Sequence, residues 1–423
     1  MIETIRNAWK IRDLRQSMIY TLLMLLVYRI GAHIPVPGSN PEAMKLFFQD
    51  GGGGILSFLN LFAGGALANF SVFALGINPY ITSSIIVQLL TFVIPSLEQL
   101  VKEGGEEGAR VVNKYTRYGT VILSLIQGIG MVFWLRNVGV LANFNSLYIF
   151  TVIMTWTAGS VFLMWLGEQI TEKGIGNGIS LLIFLNIVSS IPTMFFQITQ
   201  YVIADAKNII SVIILIVISL VVVAGIVAIQ DGERRIPVQY SKRVVGRKLY
   251  GGQSTHIPIK VNQAGVIPII FASSVLLFPA TIAQFIQHPF FQKLAKVIAP
   301  DQPVYLVLYV ILIIFFTYFY TAITFNPINV SKDIQKHGGF IPGIRPGRPT
   351  SDYINRILTR ITLVGAIFLG VVAVLPTIVT AVTKMPGVAF AGTSIIIMVG
   401  VALETVRQIE ARMLMRHYQG FLK

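Results

Sequence analysis

The stretch NLFAGGALANFSVFALGINPYITSSIIVQLL, residues 60–90, joins two apolar segments of different length. The first, residues 61–70, contains two adjacent glycines, follows four more at residues 51–54, and is far too short to cross a bilayer as a helix. It continues without a charged residue into a second apolar run, residues 71–94, which is long enough to cross. By itself, this pattern favours a short re-entrant packing helix placed directly before a membrane span.

The composition is that of an integral membrane protein. Of the 423 residues, 54% are hydrophobic and 12% are charged, and the mean hydropathy is +0.72, whereas soluble proteins have about a quarter charged residues. Ten apolar runs approach the length of about 20 residues that crosses a bilayer as a helix. They are residues 18–34, 71–94, 118–135, 147–166, 179–198, 209–229, 264–282, 304–325, 361–382 and 392–403. The sequence therefore predicts an all-α polytopic membrane protein with ten transmembrane helices.

The distribution of positive charge predicts the orientation in the membrane. Lys and Arg are held on the cytoplasmic side during insertion, and 26 of the 33 Lys and Arg residues lie in the termini and in every second loop. We therefore expect both termini in the cytoplasm. The same asymmetry explains the formal net charge of +15, so binding to nucleic acid is not needed to account for it.

Two of the predicted cytoplasmic loops are long. In residues 230–263, alternating Ile, Val and Tyr around a turn at Gly251 predict a two-stranded hairpin. Basic residues lie near its middle: Arg243, Arg247 and Lys248. In residues 326–356, the prolines and glycines of GGFIPGIRPGRP favour tight turns around Arg345. Topology needs only a few charges close to the span ends, so these loops are predicted to bind a large partner of complementary charge.

The predicted spans lack the side chains of a coupled transporter or an enzyme. Arg29 and Glu168 lie near span ends, and Glu404, Arg407 and Glu410 follow the last span, where i, i+3 pairing is expected. An ion-coupled transporter is expected to keep a buried carboxylate. The chain has no cysteine, and none of its five histidines stands at ligand spacing from another ligand. No catalytic residue, metal site or cofactor is predicted, and GIGNG, without a preceding strand, is more simply the end of one helix and the start of another.

Six motifs, in order along nearly the whole chain, give the sequence a resemblance to the SecY family, the central subunits of bacterial Sec protein-conducting channels. They are IPVP, NLFAGGAL followed by FALGINPYITSSIIVQLL, EKGIGNGISLLIF, YSKRVVGRKLYGGQSTHIPIKVNQAGVIPIIFASSVLLFPATI, NPINVSKDIQKHGGFIPGIRPGRPT and AGTSIII. The resemblance implies two pseudo-symmetric halves of five spans, residues 1–200 and 201–423. The halves would open toward lipid between the second and seventh spans.

The resemblance also implies the positions of functional residues. An apolar pore ring would comprise Ile77, Ile81, Ile179, Ile183, Ile270 and Ile397. A re-entrant plug helix at about residues 55–70, closing the pore from outside, would include Leu56, Leu59, Phe62, Gly64 and Gly65. The lateral gate would carry Thr82 and Gln127, and the docking surface for the motor ATPase SecA and the ribosome would carry Arg243, Arg247, Lys248 and Arg345. The pairs Ile77 and Ile81, and Ile179 and Ile183, are each four residues apart and can share a helix face.

The implied activity is passage of unfolded secretory polypeptides across the bacterial cytoplasmic membrane and release of transmembrane segments into it. Without a nucleotide-binding motif the chain is not expected to be an enzyme, so SecA or the translating ribosome would supply the energy. The other expected partners are the small subunits SecE and SecG, signal sequences, nascent polypeptides and the lipid bilayer. A small-solute transporter would explain the glycine-broken segment but not the long basic loops, and a passive assembly scaffold would not need a plug.

Overall fold

The computed structural model describes residues 2–37, 39, 41–49, 59–60, 62–137, 145–204, 208–240, 243–245, 248–250, 254–285, 297, 302–383 and 391–420. Within these ranges the chain is mostly helical. The helices are α1 (Ile2–Lys10), α2 (Arg12–Gly31), α3 (Pro41–Gln49), α4 (Asn78–Val93), α5 (Pro95–Glu103), α6 (Gly105–Asn137), α7 (Ser146–Lys173), α8 (Gly178–Ala204), α9 (Asn208–Asp231), α10 (Ile267–Phe285), α11 (Pro303–Thr324), α12 (Pro327–Lys336), α13 (Arg348–Thr383) and α14 (Ala391–Gly420). The strands are β1 (Glu233–Tyr240), β2 (Arg243–Val245), β3 (Lys248–Tyr250), β4 (Ser254–Lys260) and β5 (Gly339–Phe340).

Each of the ten predicted spans overlaps one helix, namely α2, α4, α6, α7, α8, α9, α10, α11, α13 and α14. By length and composition, six helices within the described residues could each cross a membrane, those of the third to sixth, eighth and ninth predicted spans. The pair α4 and α5, bent by 102° between Val93 and Pro95, makes a possible seventh. The spans predicted in α2, α10 and α14 fall below that standard within the described ranges. The fold is that of an all-α, multi-pass membrane protein.

The second span begins later than the sequence predicts. Apolar residues run from position 71, but the chain forms successive turns through Gly76, and α4 starts only at Asn78. Gly76 has a φ of +59°, which a helix does not admit. Pro79 then occupies the first turn of α4, where its missing N–H costs no helical hydrogen bond. Hydropathy alone could not separate these turns from the span because both are apolar.

The two long loops form one structural unit. β1 pairs antiparallel with β4, as Ile236 pairs with Ile257, which confirms the predicted hairpin in residues 230–263. Between these strands β2 pairs antiparallel with β3, Val245 opposite Lys248, so the chain turns back earlier than the predicted turn at Gly251. Gly251 itself lies outside the described residues. β5, from the other loop, adds to β1 through the pair Gln239 and Phe340, so the sheet order is β4-β1-β5. Apolar side chains of β1, β4, α12 and α13 pack together beneath this sheet.

Candidate pore site

The six isoleucines assigned to the pore ring lie in, or pack against, one large apolar cluster of the fold. Five are buried, with exposed fractions between 0% and 5%, and Ile179 is half-buried. Ile77 lies directly before α4, and the other five lie on α4, α8, α10 and α14; the cluster also contains residues of α2, α7, α9, α11 and α13. Ile270 and Ile397, which no spacing argument linked to the others, lie in the same cluster. Branched apolar side chains in a narrow waist would exclude water without binding a particular polypeptide.

The re-entrant segment, of which residues 59–60 and 62–70 are described, packs directly on this cluster. Phe62 is 3% exposed and belongs to it, and Leu59 packs against it. One helical hydrogen bond joins the Ala63 N–H to the Leu59 carbonyl, after which Gly64 and Gly65 turn the chain with φ of +63° and +84°. These values favour glycine because it has no Cβ. Leu56, the remaining residue assigned to the plug, lies outside the described residues.

Three polar side chains from the spans bind consecutive carbonyl oxygens of this segment. The Asn186 side-chain amide of α8 donates to the Phe62 oxygen at 2.5 Å. The Tyr28 hydroxyl donates to the Ala63 oxygen at 3.3 Å, and the Arg29 guanidinium donates to the Gly64 oxygen at 2.8 Å, both from α2. Sequence reasoning noted only Arg29, as an isolated charge near a span end. An asparagine within the apolar run SLLIFLNIV was the available signal for Asn186.

The turns that follow the re-entrant segment, residues 71–77, are held against α7. The Trp156 indole donates to the Ser71 oxygen at 3.1 Å, and the Ser160 hydroxyl donates to the Gly76 oxygen at 3.3 Å. A Cβ on Gly159 would lie 2.2 Å from the Val72 oxygen, so the two backbones touch. The IPVP motif lies alongside, because the Val72 N–H donates to the Ile34 oxygen at 3.0 Å. These contacts give hydrogen-bond partners to backbone groups outside a regular helix, which a bilayer interior cannot supply.

The two residues assigned to the lateral gate line a single cavity. Thr82 of α4 and Gln127 of α6 line a small, partly open cavity, which Ser274 and Leu277 of α10 also line. Leu59 of the re-entrant segment forms another wall. The cavity therefore lies where the helices of the second, third and seventh predicted spans meet the segment.

Ionisable groups flanking the spans form contacts between helices on the predicted cytoplasmic side. Arg117 of α6 and Glu168 of α7 form an ion pair at 2.8 Å, which joins the two helices. Arg407 forms an ion pair with Asp231 at the end of α9 and so connects two helices, while Glu404, three residues earlier, interacts with Arg407 electrostatically. Burial raises the pKa of Glu404, an effect that nearby Lys260 and Arg407 oppose.

The basic residues assigned to docking are only partly described. Arg345 is exposed, and its carbonyl accepts a hydrogen bond from the Thr350 hydroxyl at 2.9 Å. Gly343 and Gly347, on either side, have φ of +79° and +96°, as the predicted tight turns require. Arg243 and Lys248 begin β2 and β3, and only their backbone is described. Arg247 lies outside the described residues.

Comparison with known proteins agrees with this arrangement. The SecY family model matches residues 71–406. Protein translocase subunit SecY of Aquifex aeolicus is 43% identical, with 100% of both chains covered. A solved structure whose plug domain is described as stabilising the closed state of the SecY translocation channel shares 19% identity, covers 94% of this chain and 92% of that one, and has a TM-score of 0.67. A canine Sec61 in a ribosome-channel complex has 17% identity, coverage of 94% and 92%, and a TM-score of 0.60. With its fold, its clustered isoleucines and a full-length relative at this identity, the chain belongs to the SecY family of protein translocase subunits.

Proposed function

We propose that this chain is the channel through which unfolded secretory polypeptides cross the bacterial cytoplasmic membrane. One observation carries the proposal: the six isoleucines belong to, or pack against, one apolar cluster, and Phe62 and Leu59 of the glycine-containing segment join the same cluster. Such an arrangement suits a pore ring, Ile77, Ile81, Ile179, Ile183, Ile270 and Ile397, covered by a plug that contains Leu59, Phe62, Gly64 and Gly65. Glycine at the two turn positions leaves the segment free to swing aside.

We further propose that the halves, residues 1–200 and 201–423, part beside Thr82 and Gln127 to release transmembrane segments sideways into lipid. A small cavity lined by α4, α6 and α10 supports this gate, since it lies beside the contact between the second and seventh spans. Its lining mixes apolar side chains with Thr82, Gln127 and Ser274. An amphiphilic site of this kind suits a signal sequence that brings both apolar side chains and backbone polar groups.

The proposed partners supply the energy and complete the complex. The chain itself is not an enzyme in this proposal, and SecA or the translating ribosome drives transport while SecE and SecG bind within the membrane. Docking is assigned to Arg243, Arg247, Lys248 and Arg345. The shared sheet β4-β1-β5 supports a single docking platform, because it joins the two loops that carry these residues.

The proposed orientation has both termini in the cytoplasm, and single cysteines test it. The chain contains no cysteine, Ser146 is exposed, and Ser254 is the first residue of β4. An impermeant maleimide added outside intact cells is expected to label Ser146→Cys and leave Ser254→Cys unlabelled, with the reverse in inverted vesicles. Labelling of Ser254→Cys alone from outside would reverse the assignment.

Charge reversal at the proposed docking platform is expected to reduce export. Arg345→Glu replaces attraction with repulsion on an exposed turn remote from the membrane core, so SecA-driven export by reconstituted complex should fall at least about tenfold. Arg247→Glu is expected to act in the same direction. Arg110→Glu is the matched control, because the Arg110 side chain is 77% exposed and lies on a different predicted cytoplasmic loop. Normal export by an assembled Arg345→Glu complex would refute the docking role.

A further inference from the structure

We propose that Tyr28, Arg29 and Asn186 form a carbonyl clamp that sets how readily the channel opens. The clamp consists of these three side chains and the carbonyl oxygens of Phe62, Ala63 and Gly64 that they bind. The proposal rests on the plug function proposed above. It assigns a positioning role to polar groups of the spans, separate from the apolar contact between plug and ring.

The clamp reaches the segment from two different helices. Tyr28 and Arg29 are consecutive residues of α2, whereas Asn186 lies on α8. Their donors bind three successive carbonyl oxygens at distances of 3.3, 2.8 and 2.5 Å. Consecutive carbonyls of a helix all point along its axis, so three of them can be bound from the side only where the chain leaves the helical path. The left-handed Gly64 provides that departure.

Close packing makes the clamp specific to this segment. Asn186 is 1% exposed, and its side-chain oxygen would lie 2.5 Å from a Cβ placed on Gly64. That oxygen has no hydrogen-bond partner among the described residues, so the amide nitrogen makes the polar contact that holds the side chain. The Tyr28 ring is fixed separately by stacking on Phe73 at a centroid distance of 5.8 Å. The Tyr28 donor is therefore held by packing outside the segment, whereas the bond to Phe62 itself holds the Asn186 amide.

Opening the plug would break all three hydrogen bonds at once. The Arg29 bond has a charged donor and is the strongest of the three, since charge-assisted hydrogen bonds are about twice as strong as neutral ones. Asn186, which is 1% exposed, would then be left without its acceptor in apolar surroundings, where an unpaired donor is costly. The half-buried Arg29 would lose its acceptor as well. The clamp thus stabilises the closed channel. Its strength sets how much binding free energy an arriving signal sequence must supply to open the channel.

Removal of single clamp groups tests this role in the reconstituted complex. Arg29→Gln and Asn186→Leu are each expected to raise the ion conductance of the idle channel in planar bilayers by about 10- to 100-fold, the ratio that loss of a buried hydrogen bond implies. Both should also export a precursor with a defective signal sequence while exporting a normal precursor at the parental rate. Arg29→Lys keeps a charged donor and should remain closer to the parent.

A matched control removes a buried hydrogen bond outside the clamp. Thr21→Val deletes the 3.0 Å hydrogen bond that the Ile175 N–H donates to the Thr21 hydroxyl of α2, away from the plug, and should leave idle conductance unchanged. If Arg29→Gln does not assemble, the nearly isosteric Asn186→Leu decides the test. Parental conductance in both clamp variants would overturn the clamp, and the plug function would still stand if a channel lacking residues 57–65 leaked. If that deleted channel did not leak either, the plug function would fail together with the clamp.

Discussion

Deletion of residues 57–65 is expected to produce a channel that still exports proteins but leaks ions when idle. The deletion removes Phe62, which is buried in the apolar cluster that contains the six isoleucines, and Leu59, which packs against that cluster. Burial of a large apolar side chain is worth about 1.5 to 3 kcal/mol, so two such contacts favour the closed state by several powers of ten in population at most. The deletion also removes all three carbonyl oxygens bound by Tyr28, Arg29 and Asn186.

Single-channel recording in planar bilayers measures this effect. The deleted complex should conduct at least about 100-fold more current than the parent under the same voltage, and it should export a precursor with a defective signal sequence. Replacement of residues 57–65 by an equally long Gly-Ser sequence should leak in the same way, because the lost contacts depend on side chains and fixed turns. A deleted complex that conducted no more than the parent would show that the segment does not close a pore.

The elements that could be predicted from the sequence depend on local patterns. Each of the ten apolar runs overlaps a helix, because bilayer thickness sets the length of the apolar run that a spanning helix needs. The hairpin of β1 and β4 followed from alternating apolar residues in one loop. The glycine turns around Arg345 followed from residue types that admit positive φ. Each of these features is encoded within a few residues of itself.

The contacts that could not be predicted join residues far apart in the chain. Asn186 binds a carbonyl 124 positions earlier, and Trp156 binds one 85 positions earlier. Strand β5 completes a sheet that begins in another loop, at β1. No periodicity records such partners, since a polar residue in an apolar run indicates only that some partner exists. For the same reason, only the family resemblance could predict that Ile270 and Ile397 belong with the other four isoleucines.

The geometry between Gly64 and Asn186 allows a disulfide that holds the plug in place. A Cβ built on Gly64 would lie 3.0 Å from Cγ and 3.2 Å from Cα of Asn186. Because both atoms are bonded to the Asn186 Cβ, the two Cβ atoms are at most about 4.5 Å apart, within the range that disulfides span. The chain has no other cysteine, so Gly64→Cys with Asn186→Cys would create a single possible intramolecular bridge.

The oxidation state of this double variant should therefore switch the channel between two opposite defects. When reduced, it lacks the Asn186 amide and strains the backbone at position 64, where φ is +63°, so the idle channel should leak. When oxidised, it should neither leak nor export, because opening would require the bridged segment to leave α8. Dithiothreitol should restore both currents and export, whereas each single-cysteine variant should leak and export under either condition. Export by the oxidised double variant at the rate of its reduced form, with the bridge verified by mass spectrometry, would mean that polypeptides pass without moving this segment away from α8.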